Sequence, residues 1–190
     1  MTVSNIMTGQ GGLEAKQEEY ELVITSEDIV STDVRFTMQD LALGDNYTPL
    51  DTYFMNQAGE VFRRKLRKGE YKISIRTMPR LACQIFESEI ENLSKEEKEN
   101  FPICRYKSDS NIIRGIFPSI DAFKEHNNSK TWEHIDYIYN ENKQFVFYGY
   151  NIFSTILFVQ ECLKRFGKEG DKFVLIYREK GKKDNSNPEG

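Results

Sequence analysis

The longest stretch without a charged side chain runs from Gln144 to Gln160, and it bounds the fold more tightly than any other part of the chain. It holds two apolar segments, Phe145-Val146-Phe147-Tyr148 and Ile152-Phe153-Ser154-Thr155-Ile156-Leu157-Phe158-Val159, separated by Gly149-Tyr150-Asn151. A helix that crosses a bilayer needs about 20 mostly apolar residues, so this shorter, interrupted run reads as buried core. Phe145 to Tyr150 fits a strand. Ile152 to Phe166 fits the strongest helix of the chain, apolar over most of its circumference and stopped by Gly167 at its C′ position. Such a segment must be covered on several sides. At 190 residues, 38% hydrophobic and 13% aromatic, the chain can build one domain with a proper core but hardly two.

The remaining pattern predicts an α+β fold: a single compact domain whose N-terminal and C-terminal strands form a mostly antiparallel sheet with several helices packed on it. Tyr20 to Thr25 and Val34 to Gln39 read as strands, and Asp45 to Pro49 as a loop. Tyr71 to Thr77 alternates most cleanly, with Tyr71, Ile73, Ile75 and Thr77 on one face and Lys72, Ser74 and Arg76 on the other. Pro79 ends that strand, and Leu81 to Asn92 carries Ala82, Ile85, Phe86 and Ile90 at helical spacing. Ser94 to Glu97 matches a capping box, Ser119 an N-cap for a short helix with Ile120 and Phe123, and Ser129 or Thr131 a cap for a helix from Trp132 to Tyr139. Asp171 to Arg178 closes the fold as a strand. Residues 1–18 read as a flexible arm, 19–179 as the domain and 180–190 as a disordered tail.

Charge and cysteine usage narrow the function. Twenty-six Lys+Arg against 30 Asp+Glu give a net charge of −4, so polyanion binding has to come from a local patch. Cys83, Cys104 and Cys162 are odd in number and lie among apolar or helical neighbours, which reads as reduced, buried thiols in a cytoplasmic or nuclear setting. Met1 to Met7 has neither a basic n-region nor an apolar h-region, and with Thr2 in second place neither a signal peptide nor N-myristoylation is expected. The sequons at Asn46, Asn92 and Asn127 are therefore expected to be incidental.

Catalytic signatures are absent. His126 and His134 belong to no metal-ligand spacing, the cysteines form no C-x-x-C pair, and no Walker loop, G-x-G-x-x-G or G-x-S-x-G occurs. No metal, no cofactor and no enzyme activity is expected. One weaker alternative is a Mg²⁺-dependent nuclease, with Asp136 and Glu141 holding the ion and Lys143 beside the attacked phosphate.

The most informative feature is a reversal of sign. Between Val61 and Arg80 stand eight basic residues, Arg63, Arg64, Lys65, Arg67, Lys68, Lys72, Arg76 and Arg80, opposed only by Glu70. With Tyr71 to Thr77 as a strand, Lys72 and Arg76 face solvent together and the others lie on the preceding strand or turn. The expected result is one basic patch suited to phosphates or anionic lipid headgroups.

Phe117-Pro118-Ser119-Ile120-Asp121-Ala122-Phe123, then Lys130 to Ile138 with Trp132-Glu133-His134, then the aromatic stretch Phe145 to Phe153, resembles rhabdovirus matrix proteins over about a quarter of the chain. The resemblance implies a small, self-associating structural protein of the virion and host cytoplasm. Such a protein bridges nucleocapsid and membrane, so its partners are nucleoprotein, RNA or an anionic membrane surface, with no transmembrane segment. The chain departs from the group in lacking an N-terminal lysine cluster and the Pro-Pro-x-Tyr and Pro-Thr-Ala-Pro motifs. A protein-binding adaptor that engages its partner through an exposed strand edge is the other alternative.

Overall fold

The computed structural model describes residues 18–36, 44–66, 69–70, 72–105, 112–127 and 133–181. In chain order the elements are β1 (Glu19–Ile24), β2 (Ile29–Ser31), β3 (Tyr47–Met55), β4 (Val61–Phe62), α1 (Thr77–Ile85), α2 (Glu87–Glu91), α3 (Lys95–Glu99), β5 (Pro102–Arg105), β6 (Ile112–Arg114), α4 (Ile120–Asn127), β7 (His134–Tyr139), β8 (Lys143–Tyr148), α5 (Ile156–Phe166) and β9 (Lys172–Glu179). The fold is α+β, as the pattern predicts. An antiparallel sheet runs in the order β2-β1-β9-β3-β4, accompanied by the hairpins β5-β6 and β7-β8. The N- and C-terminal strands meet at its centre, with Leu22 opposite Leu175 and Ile24 opposite Phe173. Period-two alternation turns Leu22 and Ile24 inward on β1 and leaves Glu19 and Glu21 exposed.

Helix α5 explains why the uncharged run is apolar nearly all round. Ile156, Phe158, Val159, Gln160, Cys162 and Leu163 are all buried. On one side Phe158 stacks on Phe147 of β8 at 4.5 Å and lies 5.6 Å from Phe101 before β5. Toward the sheet, Gln160 Nε2 donates to the Thr25 carbonyl at 2.9 Å, and Phe166 reaches Phe173 of β9 through Phe86. Burying one such aromatic contributes roughly 1.5–3 kcal/mol, whereas an exposed ion pair contributes about 0–1 kcal/mol, so ring packing rather than surface charge joins the layers. Gly167 ends the helix with an extended φ of −80°, not a left-handed one. Glycine is required there because a Cβ would stand 2.8 Å from the Leu163 carbonyl oxygen.

Several segments depart from expectation for identifiable local reasons. The strand expected over 71–77 is not formed by its described part, 72–77: a turn precedes α1, in which Thr77 Oγ1 accepts from the Ser74 N–H at 3.0 Å and Ser74 Oγ from the Arg76 N–H at 3.2 Å. Hydroxyl groups there offer the backbone a local alternative to a sheet ladder. Pro79 falls in the first turn of α1, where its missing N–H costs nothing. Phe86, at ψ 29°, divides the expected 81–92 helix into α1 and α2. The strand expected from Val34 is a turn, since Asp33 Oδ1 accepts from the Arg35 N–H at 3.0 Å. Pro49 lies inside β3 beside a bulge rather than in a loop.

The segment expected to be a helix up to Tyr139 is instead strand β7, which burial makes plain: Ile135, Tyr137 and Tyr139 face inward in alternation. Left-handed backbone at Asn140 (φ 47°) and Glu141 (φ 69°) turns it into β8. The capping box at Ser94 and the Ser119 cap on α4 are present, the latter accepting from the Ala122 N–H at 3.0 Å. The N-terminal arm to Gln17, residues 37–39, Arg67, Lys68, Tyr71, Ser129, Thr131, Trp132 and the tail from Lys182 lie outside the described residues.

Candidate polyanion-binding cleft

The turn before α1 and the start of β7 enclose a polar cleft of about 370 Å³, lined by Glu70, Ser74, Arg76, Arg80, His134 and Asp136. Its geometry follows from the strand ladder. Val146 of β8 spends both its N–H and its C=O on Phe117, each at 2.8 Å. Asp136, opposite Val146 in the register, therefore turns its carbonyl outward from β7. Arg80 takes that carbonyl with Nε at 2.7 Å and the Asp136 carboxylate with Nη2 at 2.6 Å, while Glu70 stands 3.8 Å away. Only 9% of the Arg80 side chain is exposed. It is a buried tie between α1 and β7, not a surface cation.

The other expected cations divide. Arg63 forms a two-pronged pair with Asp51 at 3.0 and 2.8 Å and lies over the Tyr53 ring at 5.0 Å. Arg64 lies 5.8 Å over the ring of Tyr137 and, with Arg80, is close enough to Cys83 to work against the burial that pushes that thiol up. The 63–66 segment thus runs alongside α1 and β7. Lys65, Lys72 and Arg76 are exposed. Among the described residues no carboxylate lies within ion-pair distance of Arg64, Lys65 or Arg76. Of the eight residues, then, Arg63 and Arg80 are engaged by carboxylates of the same chain, Arg76 lines the cleft, and Arg64 and Lys65 stand on the 63–66 segment. The strand face that was to align them does not exist, because the segment is a turn.

The nuclease constellation does not converge. Asp136 lies on one face of the β7-β8 hairpin, while Lys143, opposite Tyr139, lies on the other and pairs with Glu91 at 2.9 Å. Glu141 sits in the exposed turn between them. No group of three or more His, Cys, Asp or Glu that could hold a metal occurs among the described residues, and no helix there is long and apolar enough to cross a membrane. His134 packs beside Phe123 at 5.7 Å, and its place in the cleft was hidden from a reading that put it on a helix. A period-two reading of His134-Ile135-Asp136 would have set His134 and Asp136 on one face. By formal charge the lining is balanced, Arg76 and Arg80 against Glu70 and Asp136. Comparison of the chain with models of protein families, with curated proteins and with solved structures finds no match.

Proposed function

We propose that this is a non-enzymatic assembly protein that holds the phosphodiester backbone of single-stranded RNA on Arg64, Lys65 and Arg76. The carrying observation is that, in a chain with more acidic than basic residues, Arg64, Lys65 and Arg76 all fall within the basic 61–80 stretch and have no carboxylate partners among the described residues. Cations left unpaired together repel one another, and a string of phosphates relieves that repulsion while releasing counterions. RNA is favoured over a bilayer because Arg76 lines a concave cleft, which a flexible strand can enter and a flat headgroup layer cannot follow. The resemblance of residues 117–153 to rhabdovirus matrix proteins supports the same reading, with the ribonucleoprotein of a virion as the RNA-bearing partner.

Fluorescence anisotropy of a labelled 20-nucleotide uridine oligomer tests it. Three phosphate contacts give a slope of about −2 in log affinity against log salt. The variant Arg64→Gln/Lys65→Gln/Arg76→Gln should flatten that slope while keeping the far-UV spectrum. No binding at low salt, unchanged binding by the variant, or binding to phosphatidylserine vesicles in place of RNA would overturn the assignment.

A further inference from the structure

At the opposite end of the β7-β8 hairpin lies a larger pocket, about 630 Å³, between α3, the Ile116–Pro118 segment and the hairpin tip. Its floor is apolar: Ile116, Phe117, Tyr139 and Phe145 are each no more than 9% exposed as residues, and all four line it. A volume of this size, apolar with a few polar groups, is what small-molecule sites offer.

The polar groups select the ligand. Lys95, Lys98 and Lys143 line the pocket against Glu91 and Glu99, three positive charges to two negative. Two of the lysines are committed, Lys143 to Glu91 and Lys95 to Glu99, each at 2.9 Å. Lys98 has no carboxylate within ion-pair distance among the described residues. The Tyr139 hydroxyl likewise has no hydrogen-bond partner among them, and unlike the Thr155 hydroxyl it is not sealed off from solvent. Burial, helped by Glu91 and Glu87, pushes the Tyr139 phenol up to about 12, so it remains a donor at neutral pH. A single surplus positive charge suits a monoanion. A dianionic phosphate would meet the two glutamates.

We infer that this pocket binds a small aromatic carboxylic acid, its ring lying on Phe117 and Phe145 and its carboxylate taking the Lys98 ammonium and the Tyr139 hydroxyl. The site uses none of Arg64, Lys65 and Arg76. The carboxylate is what sets orientation, and the aromatic floor supplies most of the affinity.

The probe is 2-naphthoate, titrated onto the full chain and followed by the methyl signals of Ile116. Its neutral analogue 2-naphthalenemethanol and dianionic 2-naphthyl phosphate serve as comparisons. Wild type should bind the naphthoate saturably, with a Kd at or below about 1 mM for a ligand of this size, and more tightly than either comparison compound. Lys98→Gln should weaken naphthoate about ten-fold and Tyr139→Phe about three-fold, the scale of a charge-assisted and a neutral hydrogen bond. Neither variant removes a core ring, and Lys65→Gln should change nothing. The inference fails if the Ile116 signals do not move, if the alcohol binds as tightly as the acid, or if Lys98→Gln leaves the Kd unchanged.

Discussion

Replacing Arg80 by methionine asks whether one of the eight cations is a tie rather than a docking group. The side chain is 9% exposed and holds both the main chain and the carboxylate of Asp136, at 2.7 and 2.6 Å. Removing one partner of a fully buried ion pair costs about 3–5 kcal/mol. Here the Asp136 side chain is 28% exposed and Glu70 34%, so water recovers part of that loss. The orphaned Asp136 carbonyl adds part of the roughly 1–3 kcal/mol that an unsatisfied buried acceptor costs. The balance is a loss of about 2–3 kcal/mol, or a fall in Tm of about 4–12 °C for a chain of this length. Asp136→Asn keeps the carbonyl contact and should lose about half as much. The double variant should then lose less than the sum, with a coupling of about 1–2 kcal/mol in the cycle. Urea unfolding followed by circular dichroism measures all four proteins. A loss below about 1 kcal/mol for Arg80→Met, or no coupling to Asp136, would refute the view of Arg80 as the strut between α1 and β7.

Acid and thiol chemistry supply two further tests. Burial pushes the Asp33 carboxyl up, but the Tyr47 hydroxyl and the backbone N–H and guanidinium of Arg35 outweigh it and hold the carboxyl below its ordinary value. A carboxyl depressed in the folded state contributes stability that is complete above its unfolded pKa of about 3.9 and is lost as pH falls through the folded value. The stability gap between wild type and Asp33→Asn should therefore narrow from pH 5 toward pH 2, and a gap independent of pH would contradict the arrangement. Cys83, Cys104 and Cys162 are at most 2% exposed, and burial raises all three thiols, Cys104 to about 12. Ellman's reagent should label none of them in the native protein and all of them in urea. Rapid native labelling of any one would show that its cover opens.

Much of the architecture was legible because it rests on local pattern. Tyr20 to Thr25, the segment after Gln144, and Asp171 to Arg178 carry β-branched and aromatic residues in short runs and became β1, β8 and β9. The Ser94 and Ser119 caps were readable for the same reason, since a cap acts on backbone groups three residues away. Where two periods fit one stretch, the reading failed. Ile135 with Ile138 or Tyr139 fits a helix face, and Ile135, Tyr137 and Tyr139 fit a strand face. The strand prevails because it covers those residues against Phe145, Phe147 and α1, a contact invisible in the segment itself.

The charge reversal at 61–80 divides the same way. Its residues and its sign are properties of the chain alone, as is the apolar circumference of α5. Which of those cations would be left for a ligand was decided by partners far along the chain. Arg63 meets Asp51 across twelve positions and Arg80 meets Asp136 across fifty-six, once the sheet and the hairpin bring them together. Local composition sets what a segment can bury and how its backbone prefers to turn. Coulomb attraction selects among carboxylates by distance in space, and that distance comes into existence only with the packed fold.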